Sequence, residues 1–278
     1  MSKLLEHRVR WQPTIWRAAA PAVLAAGLAL VPGATAALAG GSWQGIGPGG
    51  GVALSLAVDP TNPGIVYAAS DAGGLFKTVD GGRSWSHSDA GLLGHAIRVV
   101  IDPTAPATVY AATGFNSLGG GIFKSTDGGA AWTSASDGID GLRLEFLRDL
   151  AIDSQTAATL YAAADDRVFK SVDGGASWFD SGAGLRSQVS VLSVAVDPVQ
   201  PAVVYAGTAF GVWKSVDAGA TWHPARTGMG RPSVVGLAVD PGGRGTVYAA
   251  TRPNGSSSPR AIPRTRRCST PAPSTASG

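Results

Sequence analysis

An all-β fold assembled from repeated four-stranded sheets is predicted by three observations. The pattern Ser/Thr-x-Asp-Gly/Ala-Gly-x-x-Trp recurs at residues 78–85, 125–132, 171–178 and 215–222, its aspartates stepping by 47, 46 and 44 residues. A second pattern, V-x-Asp followed by V-Y-A-A or a close variant, runs in phase with it: Asp59 with Tyr67, Asp102 with Tyr110, Asp153 with Tyr161, Asp197 with Tyr205 and Asp240 with Tyr248. Thirdly, 39 Gly and 18 Pro among 278 residues, with no Gly-X-Y period, mark turn-dense β structure and exclude both collagen and a helical bundle.

Each repeat reads as four short strands: one after the Trp, one ending in V-x-Asp, one at V-Y-A-A, and one at Phe/Trp-Lys-Ser/Thr. Asp-Pro and Asp-Gly punctuate them as turns, with β-branched and small residues between. An aspartate opening such a turn accepts N–H groups ahead of it, and the glycines supply positive φ without a steric cost. The Trp lays a large apolar face over the hairpin. Four-stranded units every ~45 residues predict a β-propeller, in which radial repetition protects the sheet edges. The strand count gives about five blades, the last incomplete, because the Phe-Lys-Ser strand is found only four times. Ser42-Trp43 matches the close of each turn motif, so the segment after it is expected to supply an outer strand that completes the last blade.

The ends of the chain read differently from the repeats. Lys3, Arg8, Arg10 and Arg17 precede an apolar run over 18–39 that ends in the small-residue patterns Ala34-Thr35-Ala36 and Ala37-Leu38-Ala39. This is the order of a secretory signal over 1–39, with cleavage after Ala36 or Ala39 and export of the rest. The run is also long enough for an uncleaved anchor, against which Pro21, Gly27, Pro32 and Gly33 argue. The propeller is expected over 40–251, as four full repeats and a partial fifth. Residues 252–278 carry Arg252, Arg260, Arg264, Arg266 and Arg267 without an acid and show no strand pattern. They are expected to be a disordered tail or a frameshifted one. Ser256-Ser-Ser-Pro-Arg260 can be encoded TCT TCA AGT CCA CGN, and one base earlier that reads x-Phe-Lys-Ser-Thr, the missing strand. On that reading the chain is a truncated fragment. Without its ends the chain holds thirteen bases against eighteen acids, so the net charge of +3 implies no basic groove and no nucleic acid partner. One cysteine and four scattered histidines leave no disulfide and no zinc set; no metal and no cofactor are expected.

The four in-phase motifs resemble the Asp-box (BNR) repeat of the sialidase and xyloglucanase-like propellers, over about residues 42–251. The resemblance implies that the box lies on the outer hairpin of each blade, away from the ligand face. Asp80, Trp85, Asp127, Trp132, Asp173, Trp178, Asp217 and Trp222 are then structural. The ligand face would be made by loops near 70–73, 113–121, 164–167 and 208–211 together with 86–96, 133–146, 179–189 and 223–233.

The opening stretch Trp43…Ile46-Gly-Pro-Gly-Gly-Gly-Val52…Tyr67-Ala-Ala-Ser70-Asp71-Ala-Gly-Gly74 resembles the oligoxyloglucan-hydrolase and xyloglucanase family. That likeness makes Asp71 a candidate catalytic carboxylate, against a plain turn residue beside two glycines. Inverting hydrolysis needs a second carboxylate across the sugar, which the family takes from a second propeller. Other ligand-face candidates are Arg143 and Glu145 in the longest loop, where an ion pair competes with a binding role, and Asp165 and Asp166, which could hold a cation or polar ligand or simply be exposed. Sialidase activity is disfavoured, because no arginine occurs from residue 40 through 82. Two functions follow: an exported, secreted or periplasmic, non-catalytic propeller binding a protein or polysaccharide, or a glycoside hydrolase or the remnant of one.

Overall fold

A computed structural model describes residues 46–48, 52–71, 74–116, 119–139, 146–164, 166–185, 190–242, 245–252 and 266–268. The described residues form strands and turns, grouped into five antiparallel sheets in chain order. Sheet one holds β1 (Ala53–Val58), β2 (Val66–Ser70), β3 (Gly74–Thr78) and β4 (Ser86–His87). Sheet two holds β5 (His95–Ile101), β6 (Val109–Asn116), β7 (Gly119–Ser125) and β8 (Thr133–Ser134), and sheet three β9 (Leu147–Ile152), β10 (Leu160–Ala164), β11 (Arg167–Ser171) and β12 (Phe179–Asp180). Sheet four holds β13 (Val191–Val196), β14 (Val204–Thr208), β15 (Gly211–Ser215) and β16 (His223–Pro224). Sheet five has three strands, β17 (Ser233–Val239), β18 (Val247–Arg252) and β19 (Arg266–Cys268).

The registers repeat from sheet to sheet. Tyr67 stands opposite Lys77, Tyr110 opposite Lys124, Tyr161 opposite Lys170 and Tyr205 opposite Lys214. The V-x-Asp corners are Asx turns: Asp59 Oδ1 accepts the Thr61 amide at 2.7 Å and Asp102 Oδ1 the Thr104 amide at 2.8 Å. At the Ser/Thr-x-Asp-Gly turns, the Ser125 hydroxyl donates to Asp127 and accepts the Gly129 amide, and the same pair of bonds recurs from Thr78, Ser171 and Ser215. The residue after each aspartate has positive φ; it is glycine three times and Ala218, at φ 55, the fourth.

What joins one sheet to the next is largely directed at backbone carbonyls. Tyr67 hydroxyl and Lys77 Nζ both donate to the Gly128 carbonyl at 2.7 Å. Tyr110 and Lys124 do the same to Gly174, at 3.0 and 2.9 Å, and Tyr161 and Lys170 to Ala218, again at 3.0 and 2.9 Å. Two donors use both lone pairs of one oxygen, and each ammonium also lies over its own tyrosine ring, 5.3 to 5.4 Å from the centroid. The tryptophans close the other side. Trp132 Nε1 donates to the Ser88 carbonyl, Trp178 to Ala135 and Trp222 to Ser181, each three residues past the preceding Trp. Trp85 donates instead to Ile46, which stands at the same offset from Trp43.

Between these fixtures lie four apolar clusters, one per junction. The first packs Tyr67, Ala69 and Leu75 on Val99, Val109, Ala111 and Trp132, and the later ones repeat the set. The inner strands pack in series, β1 on β5, β5 on β9, β9 on β13 and β13 on β17, and among the described residues no comparable packing returns from β17 to β1.

β18 runs on through Arg252, and Arg266–Cys268 pair with it as a third strand. Cys268, Arg267 and Arg266 stand opposite Val247, Tyr248 and Ala249, the register that Thr78, Lys77 and Phe76 take in sheet one. An open sheet edge pairs through backbone alone, so the partner needs no apolar pattern. The expected signal over 1–39 and the remainder of the tail lie outside the described residues.

Candidate ligand face

The turn from the second strand to the third and the loop leading into the next sheet emerge at the same end of each sheet, and the sequence places its candidates there. Asp71 opens the turn after β2. Its carboxylate accepts the Val52 amide at 2.8 Å while its own amide donates to the Val52 carbonyl at 3.2 Å. Asp71 thus ties the entry of β1 to the exit of β2 and remains exposed. Nearby, Asp89 bonds His87 at 3.1 Å and lies against Gly74, where a Cβ would meet its carboxylate. Asp166 stands 3.6 Å from Arg167, which also pairs with Asp180. Arg143, Glu145 and Asp165 lie outside the described residues. Exposed apolar side chains join the acids on these loops: Leu93, Phe146 and Phe210.

A second group of polar residues was missed by motif reading. The residue four before each corner aspartate is Ser55, Arg98, Asp149, Ser193 or Gly236, one per inner strand. Every inner strand has a register irregularity just before this position, and as a sheet edge it turns alternate N–H groups away from its own sheet. Those amides go to the neighbouring sheet: Val99 N–H to Ser55 Oγ at 3.3 Å and Val194 N–H to Asp149 at 3.0 Å. Arg98 cannot accept, and Asp149 replaces it by taking the Leu150 amide at 2.8 Å and pairing with the Arg98 guanidinium. Burial pushes the Asp149 carboxyl up, and Arg98 with the two amides pulls it back. Ser193 Oγ is buried without a partner among the described residues, and Gly207 makes room for it, since a Cβ there would lie 2.2 Å away. The signal that could have found this set is a single column of the repeat alignment in which small, basic and acidic residues alternate.

Among the described residues no cluster of His, Cys, Asp and Glu could hold a metal ion, and no helix is long and apolar enough to cross a membrane. A groove of about 540 Å³ runs between sheets two and three, lined by Lys124, Ser134, Ser136, Asp137 and Gly174 on the side of the Asp-Gly turns rather than near Asp71.

No family profile and no curated protein matches the chain. Solved structures do. An ancestral GH74 enzyme is 25% identical with a TM-score of 0.59, over 75% of this chain and 28% of that one. The GH74 xyloglucanase from Xanthomonas campestris is 22% identical with a TM-score of 0.63, over 83% and 39%. The extracellular domain of a candidate one-component system from B. thetaiotaomicron is 10% identical with a TM-score of 0.55, over 72% and 26%. The chain therefore spans well under half the length of each of these proteins, and what the likeness shows is its fold, a β-propeller.

Proposed function

We propose that this chain is an exported Asp-box propeller of about five blades whose loop face binds a protein or glycan without catalysis. The observation that carries this reading is the use made of Asp71: its carboxylate caps the Val52 amide, a turn role that needs no substrate. Exposed Phe146 and Phe210 on loops of this face suit a sugar ring or a peptide, with glycan the first class to test. The Asp-Gly turns are read as structural boxes, because Asp80, Asp173 and Asp217 spend both oxygens, and Asp127 its Oδ1, on hydroxyls and amides of the turn itself. The signal-like N-terminus supports export, as does likeness to an extracellular domain. A glycoside hydrolase is the second reading, favoured by likeness to GH74 enzymes and by an exposed Asp71.

The test is purified full chain on a glycan array and on xyloglucan, beside Asp71→Asn. Retention of a glycan with no release of reducing ends supports the binding reading. Hydrolysis abolished by Asp71→Asn replaces it with the second.

A further inference from the structure

The three complete internal junctions use one contact set, and the two ends of the series display its two halves. On sheet one, the Gly81 carbonyl occupies the place of Gly128 and Gly174, yet among the described residues no donor reaches it. A Cβ at Gly81 would meet nothing within 4 Å, whereas at Gly128 it would lie 3.2 Å from Lys77 Nζ and 3.6 Å from the Tyr67 hydroxyl. Leu56, Val66 and Trp85 are half-buried on the same face, although their counterparts Val99, Val109 and Trp132 are buried. On sheet five the complementary half is open. Tyr248 is half-buried where Tyr67, Tyr110 and Tyr161 are 1% exposed. Arg267 stands opposite it in the register of the junction lysines. One end offers an acceptor and apolar surface; the other offers a hydroxyl and apolar surface.

The ends also fit in their strands. Sheet five lacks a fourth strand among the described residues. Sheet one already has Ile46 placed on Trp85, where the other junctions place the residue that follows the preceding sheet's fourth strand. The first sheet thus holds the piece that the fifth sheet lacks. We infer that a second copy of this chain docks its fifth sheet on the first sheet of its neighbour, head to tail, reproducing the internal junction between molecules. Such a heterologous contact leaves one free half at each end of any open assembly, so association proceeds past the dimer.

The experiment is sedimentation equilibrium and light scattering on the full exported chain. The expected result is a mass that rises with concentration beyond the dimer. Leu56→Arg disables the first-sheet face and Tyr248→Asp the fifth-sheet face, and each variant alone is a monomer whose unfolding midpoint equals that of dilute, unassociated wild type. Mixed, they retain one good half each and form a one-to-one dimer that grows no further. If Leu56→Arg does not fold, Val58→Glu charges the same face. A wild-type chain that stays monomeric at every concentration, as closure within one molecule requires, overturns the inference. So do oligomers that persist in both variants, or a mixture that remains monomeric.

Discussion

Gly138 and Gly81 offer a test of how tightly the sheets are joined. Both have positive φ, 90 and 73. Replacing either with Ala adds one methyl and a left-handed backbone cost of about 1–2 kcal/mol. Their surroundings differ. At Gly81 the methyl meets nothing within 4 Å, while at Gly138 it would lie 2.1 Å from the Trp178 carbonyl oxygen. That oxygen cannot easily move, because the Trp178 amide is held by the Asp137 carbonyl at 2.8 Å and its indole N–H by Ala135 at 2.8 Å. Relieving the clash requires sheets two and three to part by about 1 Å, and such a gap forfeits a quarter to a half of the contact energy across it. Trp178 is buried in that junction, and a buried Trp is worth about 3–5 kcal/mol against Ala, so the parting costs about 1–2 kcal/mol more. For a fold of this size about 1 kcal/mol moves the midpoint by roughly 2–4 °C, so Gly138→Ala should lower it about twice as far as Gly81→Ala. Thermal and urea unfolding followed by tryptophan fluorescence measure both, with Gly91→Ala, 2.5 Å from the Trp132 carbonyl, as a second case in the first junction. Equal shifts for Gly138→Ala and Gly81→Ala would show that the close approach does not constrain the junction.

The other predictions rest on charge and strain. Ala218 is the one non-glycine at positive φ among the described residues. Ala218→Gly relieves about 1–2 kcal/mol of strain against about 0.4–1 kcal/mol of added unfolded-state entropy, so its urea midpoint should rise slightly; an unchanged or lower midpoint denies the strain. Burial, helped by nearby aspartates, pushes Tyr67, Tyr110 and Tyr161 up to about 12. A raised folded value gives stability that is complete below pH 10 and lost as pH rises through about 12, so phenolate absorbance from these three should appear only with unfolding. Hydroxyl bonds, from Ser177 first at Asp173 and from Ser215 first at Asp217, hold these carboxyls down at about 2 from 3.8. Their contribution is present above pH 3.8 and lost as pH falls to about 2, and Asp173→Asn should flatten that acid limb of the midpoint-against-pH curve. Arg98→Met leaves Asp149 buried without its cation, at a cost of about 3–5 kcal/mol at neutral pH; calorimetry should show part of the loss regained on acidification, as Asp149 takes up a proton.

Strand positions and corner turns were legible in the sequence because each is set by local chemistry. Asp59 and Asp102 bond amides two or three residues ahead, and Ser125 bonds Asp127 and Gly129, so a window of a few residues contains both partners. The joints between sheets were not legible. The Tyr110 hydroxyl finds an acceptor 64 residues away, and that acceptor is a backbone carbonyl, which carries no side-chain identity to read. The same blindness hid β19, which pairs through backbone at an open edge, and the Arg98–Asp149 pair, whose partners lie on different sheets. Asp71 was legible as a candidate through its neighbours in sequence, but its bond to Val52, nineteen residues back, decides how its carboxylate is occupied.

This division separates the part of the chain that must repeat from the part that is free to differ. Tyr, Lys and Trp act on carbonyls, so the accepting position is constrained through its left-handed backbone and not through a side-chain group, and Gly174 and Ala218 both fill it. The joints therefore place almost no demand on the loops at the opposite end of each sheet. There the repeats diverge: the turn after β2 is short, the one between β6 and β7 is made by long strands, and the loop from β8 to β9 is the longest of the entries into a new sheet. A ligand-binding role evolves at low cost in stability only where the fold does not need a particular residue. Asp71 fails that condition, since its carboxylate bridges two strands of sheet one. Phe146 and Phe210 meet it: both are exposed on divergent loops. Their replacement by Ala should therefore reduce ligand retention while leaving the unfolding midpoint in place, the opposite of what the junction residues do.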